Sequence, residues 1–323
     1  MDYQAYAAHW HKRAFRAMGC QMAIWLELKN AETAVTLLQE AEAIFAGAER
    51  RLTRFDAASE LSQLNARPGI WVPVSEMMWQ VITQALFMAR ETGGLFDPTQ
   101  LTALEAAGYT RSFEQLAAVG DVDGKETAVS RFGQWEMVRL DADWRAVQLP
   151  PGVKLDLGGS AKGYIAQQVV DFLSDWGPCL VDAGGDLTAG QAPAALSGWP
   201  VAVSTPFTGP DEIREELFRL WLVEGTMATS GIDYRRWQRN GRIAHHLIDP
   251  RTGLPAETDM LTATVLAKTA VRAEAWATAA LVGGTAVAQH RLTAKNLAAA
   301  FIDQTGSLSL TPALDAVLTF ETI

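Results

Sequence analysis

Apolar residues recur at helical spacing over 31–51, where Leu37, Leu38, Ala41, Ile44, Phe45 and Ala48 share one face and a basic last turn suits the helix dipole. The same spacing predicts helices over 73–91, 161–176 (with Ser160 as N-cap) and 271–282, plus a shorter helical piece from Ser59 to about Asn65. Strands are predicted at 21–28, 135–140, 144–149, 155–157, 180–182, 199–204 and 261–266. The tail pairs 297–302 with 308–311 across Gln304-Thr305-Gly306. Residues 110–134 are polar and glycine-dotted and read as an excursion, and 187–200 as a loop rich in Gly, Pro and Ala. Asn240-Gly241 has the left-handed backbone preference of a two-residue hairpin turn, which predicts a ladder from about Tyr234 to Asp249. Alternation along that ladder puts His246 and Ile248 on one face, and His245 and Asp249 on the other. Adjacent histidines therefore cannot grip one metal ion, and read alone the pair is an ordinary hairpin ending in the turn Asp249-Pro250-Arg251-Thr252-Gly253.

With 323 residues, 49% of them hydrophobic, the chain can bury a large core. The formal charge of -10 argues against a nucleic-acid binder, whose affinity rests on surplus Lys and Arg. The two cysteines, Cys20 and Cys179, have no second ligand at metal spacing and read as buried free thiols. No apolar run reaches the roughly 18 to 20 residues a spanning helix needs, and the N-terminal residues hold no uninterrupted apolar stretch of a secretory signal. The expectation is a cytoplasmic protein without a membrane span.

Two glycine pairs mark strand ends around the helix at 161–176: Gly158-Gly159 before it, and Gly184-Gly185 after the next strand. A helix N-terminus beside bare amides, with Lys162 in its first turn, suits an anion, although packing glycine explains the spacing equally well. Gly93-Gly94 before Phe96 likewise allow close backbone approach. Asp156, the carbonyls around Gly159, and Glu274 and Thr278 four apart on one helix face form a hard-oxygen set suited to Mg²⁺ or Ca²⁺. A hard cation beside an anion pocket points to a pyrophosphate substrate; the alternative is that Glu274 is a solvated helix residue and Thr278 ordinary.

Several segments together resemble the ApbE family of flavin transferases, the FAD:protein FMN transferases. They stand in family order: Met18-Gly19, LTRFDAASELSQLN (52–65), TGGLFDPT (92–99), LDLGGSAKGY (155–164), VDAGGD (181–186), ATSG (228–231), HHLIDPRTG (245–253) and AEAWATA (273–279). The resemblance implies an α+β fold of the ApbE type, sheets flanked by helices with FAD in a cleft between them. It implies one domain over 1–323, whose motifs run from 18 to 283 and whose last residues, 284–323, form a hairpin completing the fold. By the same resemblance Met18, Phe55, Leu95, Phe96, Asp97, Asp156, Lys162 and Ile248 fall on FAD-binding positions. The Gly159 carbonyl, Glu274 and Thr278 fall on the Mg²⁺ ligands, and His246 on the base that takes a proton from the acceptor hydroxyl. The implied activity is Mg²⁺-dependent transfer of FMN from FAD to a Thr or Ser of an acceptor flavoprotein, with release of AMP. A non-catalytic FAD-binding protein and an FAD pyrophosphatase giving FMN and AMP are the alternatives.

The chain departs from the family pattern twice. Glu274 stands where the family usually has Asp, and one extra methylene moves the carboxylate by on the order of 1 Å. Cys20 stands where Thr usually follows Met-Gly; without an apolar run before it, Met18-Gly19-Cys20 reads as part of a strand entry and not as a lipoprotein cleavage site.

Overall fold

A computed structural model describes residues 9–117, 121–122, 131–194, 196–206 and 214–318. Its centre is an eight-stranded sheet: β1 (Trp10–Ala17), β2 (Cys20–Glu27), β3 (Cys179–Ala183), β4 (Leu187–Ala189), β5 (Gly225–Gly231), β6 (Met260–Ala267), β7 (Ala298–Asp303) and β8 (Leu308–Leu310). The strands lie side by side in chain order, every neighbour antiparallel. The ends of the odd strands and the starts of the even ones therefore share one edge. Helices cover one face, so the fold is of the expected α+β class.

Those helices are α1 (Ala31–Leu52), α2 (Glu76–Glu91), α3 (Ala161–Ser174), α4 (Ala270–Gly283) and α5 (Thr285–Ala294). Side chains of Asn30 and Ser75 cap α1 and α2, accepting from the Thr33 and Met78 amides. Because Ser75 is the cap, α2 starts at Glu76, while Pro73 pairs with Ala146 in a small three-stranded sheet. Helices α1, α3 and α4 pack against the large sheet through one core that includes Ile24, Phe45, Ile165, Val265 and Trp276. Phe45 and Trp276 are almost completely buried, and truncating either to Ala would cost about 3–5 kcal/mol. The opposite sheet face is covered by the hairpin Trp199–Ser204/Glu216–Leu222, which packs Trp199, Val201 and Leu220 against Met227 and Ala300.

The sequence reading misses several elements. Strand β1 escapes notice because it is an edge strand with three charged residues, Lys12, Arg13 and Arg16, whereas edge strands carry charge to resist further pairing. It turns into β2 through Met18 (φ 51) and Gly19 (φ 69), two left-handed residues in a two-residue turn that matches strand twist. The 187–200 loop contains β4, and Glu216–Leu222 is a strand. Residues 135–140 divide into a 3-10 turn, Gln134–Met137, and the strand Arg139–Asp141, while 144–149 shortens to Ala146–Gln148. The excursion holds a short helix, Phe113–Ala117, and a two-residue strand, Asp121–Val122; 118–120 and 123–130 lie outside the described residues. Cys20 and Cys179 are buried free thiols, as expected.

Two corrections fall beside the site. Residues 155–157 form no strand: Leu155 is held on both sides by the Asn65 side chain, whose Nδ2 donates to the Leu155 carbonyl (2.9 Å) and whose Oδ1 accepts from its amide (2.8 Å). One carboxamide thus supplies what a strand neighbour would. Ser160 precedes α3 but makes no capping bond, and its buried Oγ has no hydrogen-bond partner among the described residues.

Candidate functional site

The shared sheet edge gathers the β1–β2 turn, the Gly184-Gly185 turn (φ 75 and 100), the end of β5, the N-terminus of α3 and the middle of α4. Gly184 lies directly against Cys20, where a Cβ would come within 2.8 Å of the Cys20 Cβ. At the centre is Lys162, in the first turn of α3. Its Nζ donates to Glu274 Oε1 (2.9 Å), lies 3.5 Å from Asp186 Oδ2 and reaches the Gly158 carbonyl at 3.5 Å. Glu274 is only 4% exposed, and its other oxygen accepts from the Gly163 amide at 3.1 Å. It is a buried carboxylate facing α3 and not a solvated helix residue. Burial works against charge on Lys162, but Glu274 and then Asp186 more than offset it, so its pKa is raised. Burial raises the Glu274 pKa, and the Lys162 ammonium pulls it back. Both Glu274 oxygens accept from donors, the arrangement of an ion pair.

Asp186 also accepts from the Thr229 amide (2.9 Å), tying the β3–β4 turn to β5. The next residue, Ser230, hydrogen-bonds the Thr278 hydroxyl at 3.1 Å, one turn beyond Glu274 on α4. Glu274, Asp186 and Thr278 are hard-oxygen donors, and two of the three already converge on a cation. The unpartnered Ser160 Oγ adds a buried hydroxyl at the same helix start. Among the described residues no group of three or more His, Cys, Asp or Glu side chains forms a metal cage. The donor chemistry therefore fits a hard divalent ion completed by hydroxyl, carbonyl and substrate oxygens, and does not fit zinc.

The Asn240-Gly241 hairpin forms as predicted, with φ of 49° and 72° at the turn, but its ladder runs only over Arg236–Arg239 and Arg242–His245. The chain leaves the ladder at His246 and pairs again, with a different strand, over Ile248–Asp249. Strand alternation therefore does not set the direction of His246. His245 is buried, with Nε2 on the Ala256 carbonyl (3.0 Å), a structural placement. Burial lowers the His246 pKa well below its usual value, the positive charges of Arg235, His245 and Lys162 lower it further, and a hydrogen bond to the Arg235 backbone opposes them. His246 Nδ1 is buried with no hydrogen-bond partner among the described residues. Arg235 itself donates to Cys20 Sγ at 2.9 Å.

Farther along the same wall Asp156 accepts from Arg54 Nε (2.7 Å) and from the Gly158 amide (2.9 Å). The Arg54 guanidinium lies 4.2 Å from the Phe55 ring centroid and 4.6 Å from that of Tyr109. Phe55 keeps 47% of its surface exposed. Phe96 stands against Gly159, where a Cβ would meet its ring at 3.2 Å.

A profile of the ApbE family matches residues 18–302. The chain belongs to the ApbE family. A protein of Treponema pallidum named FAD:protein FMN transferase is 32% identical over 272 residues, 78% of this chain and 71% of that protein. One of Salmonella typhimurium with the same name is 29% identical over 241 residues, 72% of this chain and 67% of that protein. The crystal structure of an ApbE protein from Thermotoga maritima superposes with a TM-score of 0.82 at 23% identity, covering 96% of this chain and 99% of that one.

Within this ApbE chain Lys162 bonds Glu274 and acts electrostatically on His246, while Thr278, one turn beyond Glu274, is tied to Ser230 of β5. Met18 sits in the β1–β2 turn beside Cys20, half-buried against the core. Of three other expected residues, Leu95 and Phe96 pack into the core and Asp97 braces its own loop. Leu95 and Phe96 are 5% exposed, and Asp97 accepts from the Thr99 amide and hydroxyl and from Gln100 Nε2. The glycines before them approach the chain's own side chains: Gly93 faces the Arg291 guanidinium, and Gly94 faces Phe132 and Trp135. Ile248 is buried in an apolar cluster with Leu104, Trp237 and Ala244. Sequence reasoning did not single out Arg54, Tyr109, Gly163, Asp186 or Arg235. Arg54, Gly163 and Asp186 lie inside motifs already quoted, and only their spatial partners reveal them.

Proposed function

We propose that this chain transfers FMN from FAD to a threonine or serine hydroxyl of an acceptor protein, releasing AMP, with Mg²⁺ as the cofactor. The observation that carries the reading is the Lys162 ammonium, held by Glu274 and Asp186 at the start of α3. Its family relatives bear the name of that reaction. His246, with its pKa depressed and Nδ1 without a partner, accepts the proton of the incoming hydroxyl. The hydroxyl oxygen forms a bond to the FMN phosphorus as the bond from that phosphorus to the bridging oxygen breaks, and AMP leaves with that oxygen. Lys162 and the first amides of α3 stabilise charge on the phosphoryl oxygens. Glu274, Thr278 and the Gly159 carbonyl would hold Mg²⁺, which supplies Lewis-acid neutralisation of the pyrophosphate. Asp156, Phe55, Met18, the 95–97 turn and Ile248 complete the proposed FAD site, the last three through the loops and cluster they brace.

The test incubates the protein with FAD, Mg²⁺ and candidate acceptor proteins, and reads covalent FMN by mass spectrometry. A mass increase on a Thr or Ser together with AMP is expected. Release of AMP with no adduct on any acceptor would replace the transferase by a pyrophosphatase. Bound, intact FAD with neither product would leave a binding protein.

A further inference from the structure

Arg54 is anchored on three sides. Its Nε contacts Asp156 Oδ2 (2.7 Å), its Nη1 donates to the Tyr109 carbonyl (2.8 Å), and its plane lies by the Phe55 and Tyr109 rings. Its side chain is 7% exposed, yet Nη2 has no hydrogen-bond partner among the described residues. A guanidinium presents five N–H donors in a fixed fork, and a buried donor without an acceptor is costly enough that native proteins rarely leave one. The missing acceptor is thus expected from a ligand that arrives on this wall.

The surroundings restrict that acceptor. Asp156 already offsets the charge of Arg54, and the anion-binding features lie elsewhere, at Lys162 and the α3 N-terminus. A neutral oxygen is therefore favoured over a phosphate. The neighbouring Phe55 is half exposed and offers ring surface for stacking a planar heterocycle. Of the two ring systems of FAD, the isoalloxazine carries two carbonyl oxygens on its pyrimidine edge, and adenine carries none. We infer that Arg54 is a specificity-determining residue that donates Nη2–H to a pyrimidine-edge carbonyl of the flavin ring, choosing the flavin half of the substrate over the adenine half. The inference rests on the FAD reading above.

Riboflavin and ADP separate the two halves. With the whole 323-residue chain, calorimetry is expected to show Arg54→Lys, which keeps a cation for Asp156 but lacks the fork, binding riboflavin and FAD on the order of 10- to 100-fold more weakly. ADP affinity should be unchanged, and the visible absorption of bound riboflavin should shift. Selective loss of ADP affinity, or unchanged riboflavin affinity, would overturn the inference alone. Wild type that binds neither FAD nor riboflavin would overturn the FAD reading and this inference with it. A ligand-side test avoids dependence on the variant's folding: wild type is titrated with riboflavin and its 2-thio and 4-thio analogues, each with one weaker acceptor. At least tenfold weaker binding of one analogue is expected, and equal binding of all three refutes the assignment.

Discussion

Gly163→Ala pits helix propensity against the site. Gly163 lies within α3, where alanine is favoured over glycine by about 1 kcal/mol. A Cβ at Gly163, however, would stand 2.6 Å from Glu274 Oε2 and 2.8 Å from Glu274 Cδ, against ordinary contacts of 3.4–4 Å. Glu274 would have to retreat by most of an ångström. Its bond from the Gly163 amide goes first, and hydrogen bonds to charged groups are worth about 1.5–3 kcal/mol. The Lys162 contact at 2.9 Å weakens with it. The loss exceeds the propensity gain, so Gly163→Ala should be less stable than wild type by about 1–2 kcal/mol. Urea unfolding measures this, and the cycle with Glu274→Ala identifies the cause: in the Glu274→Ala background the same Gly163→Ala change should cost markedly less, the Ala270 Cβ at 3.1 Å being the one tight contact left. A Gly163→Ala protein as stable as wild type, or additive effects in the double variant, would refute the argument.

Glu274→Ala should remove Mg²⁺-dependent turnover and, because it strands a buried ammonium on Asp186 alone, destabilise by up to about 3–5 kcal/mol; wild-type activity at limiting Mg²⁺ would rule out the metal role, and an unchanged melting temperature the ion pair. His246→Ala should cut FMN transfer about 10²- to 10⁴-fold with FAD affinity little changed, whereas His245→Ala, which loses the bond to Ala256, should mainly lower stability; equal losses of transfer would show that the pair acts structurally. Burial depresses the pKa of both histidines, so the unfolded chain takes up protons first: the stability they contribute is present above about pH 6.5 and lost as pH falls through their folded values, by up to about 1.4 kcal/mol per pH unit for each. Buried Glu274, with its pKa raised, acts oppositely in the same range, so the measurement is the difference in slope between wild type and His245→Gln from pH 7 to 5; a variant slope as steep as wild type contradicts the assignment.

Local rules reached the helices and the hairpin because their signals are local. The 3.6-residue pattern finds α1, and Asn240-Gly241 takes the left-handed turn such a pair favours. The site residues were named by the family resemblance and not by local rules, under which His245-His246 read as an ordinary hairpin and Glu274 was open to reading as a solvated helix residue. Partnerships were legible in neither. Lys162 and Glu274 are 112 residues apart, and Asn65 and Leu155 are 90 apart. No periodicity encodes such pairs. The 155–157 error has the same origin: β-prone residues in an extended segment imply a neighbouring strand, and here an asparagine side chain replaces it. Strand alternation failed at His246 because it assumed one ladder where the chain changes partners.

The pairings also decide how charge must balance when substrate arrives. Lys162 faces two carboxylates, Glu274 and Asp186, so this cluster carries one excess negative charge with all three groups ionised. Two further cations stand at this site: Arg54 is paired with Asp156, and Arg235, whose charge Asp186 also favours, donates to Cys20 Sγ. On the proposed reading a pyrophosphate adds two more negative charges, and each like-charge contact near 4 Å costs about 4 kcal/mol at an effective dielectric of 20. Lys162 cannot serve the phosphates fully while it serves Glu274 and Asp186. A divalent cation taken up by Glu274 and Thr278 would release Lys162 toward the phosphoryl oxygens and bring the combined charge from minus three to minus one. On that reading a Mg²⁺ requirement and a movement of the Lys162 head group would be two aspects of one exchange, in which the ammonium would hold the carboxylates in place until a metal replaced it.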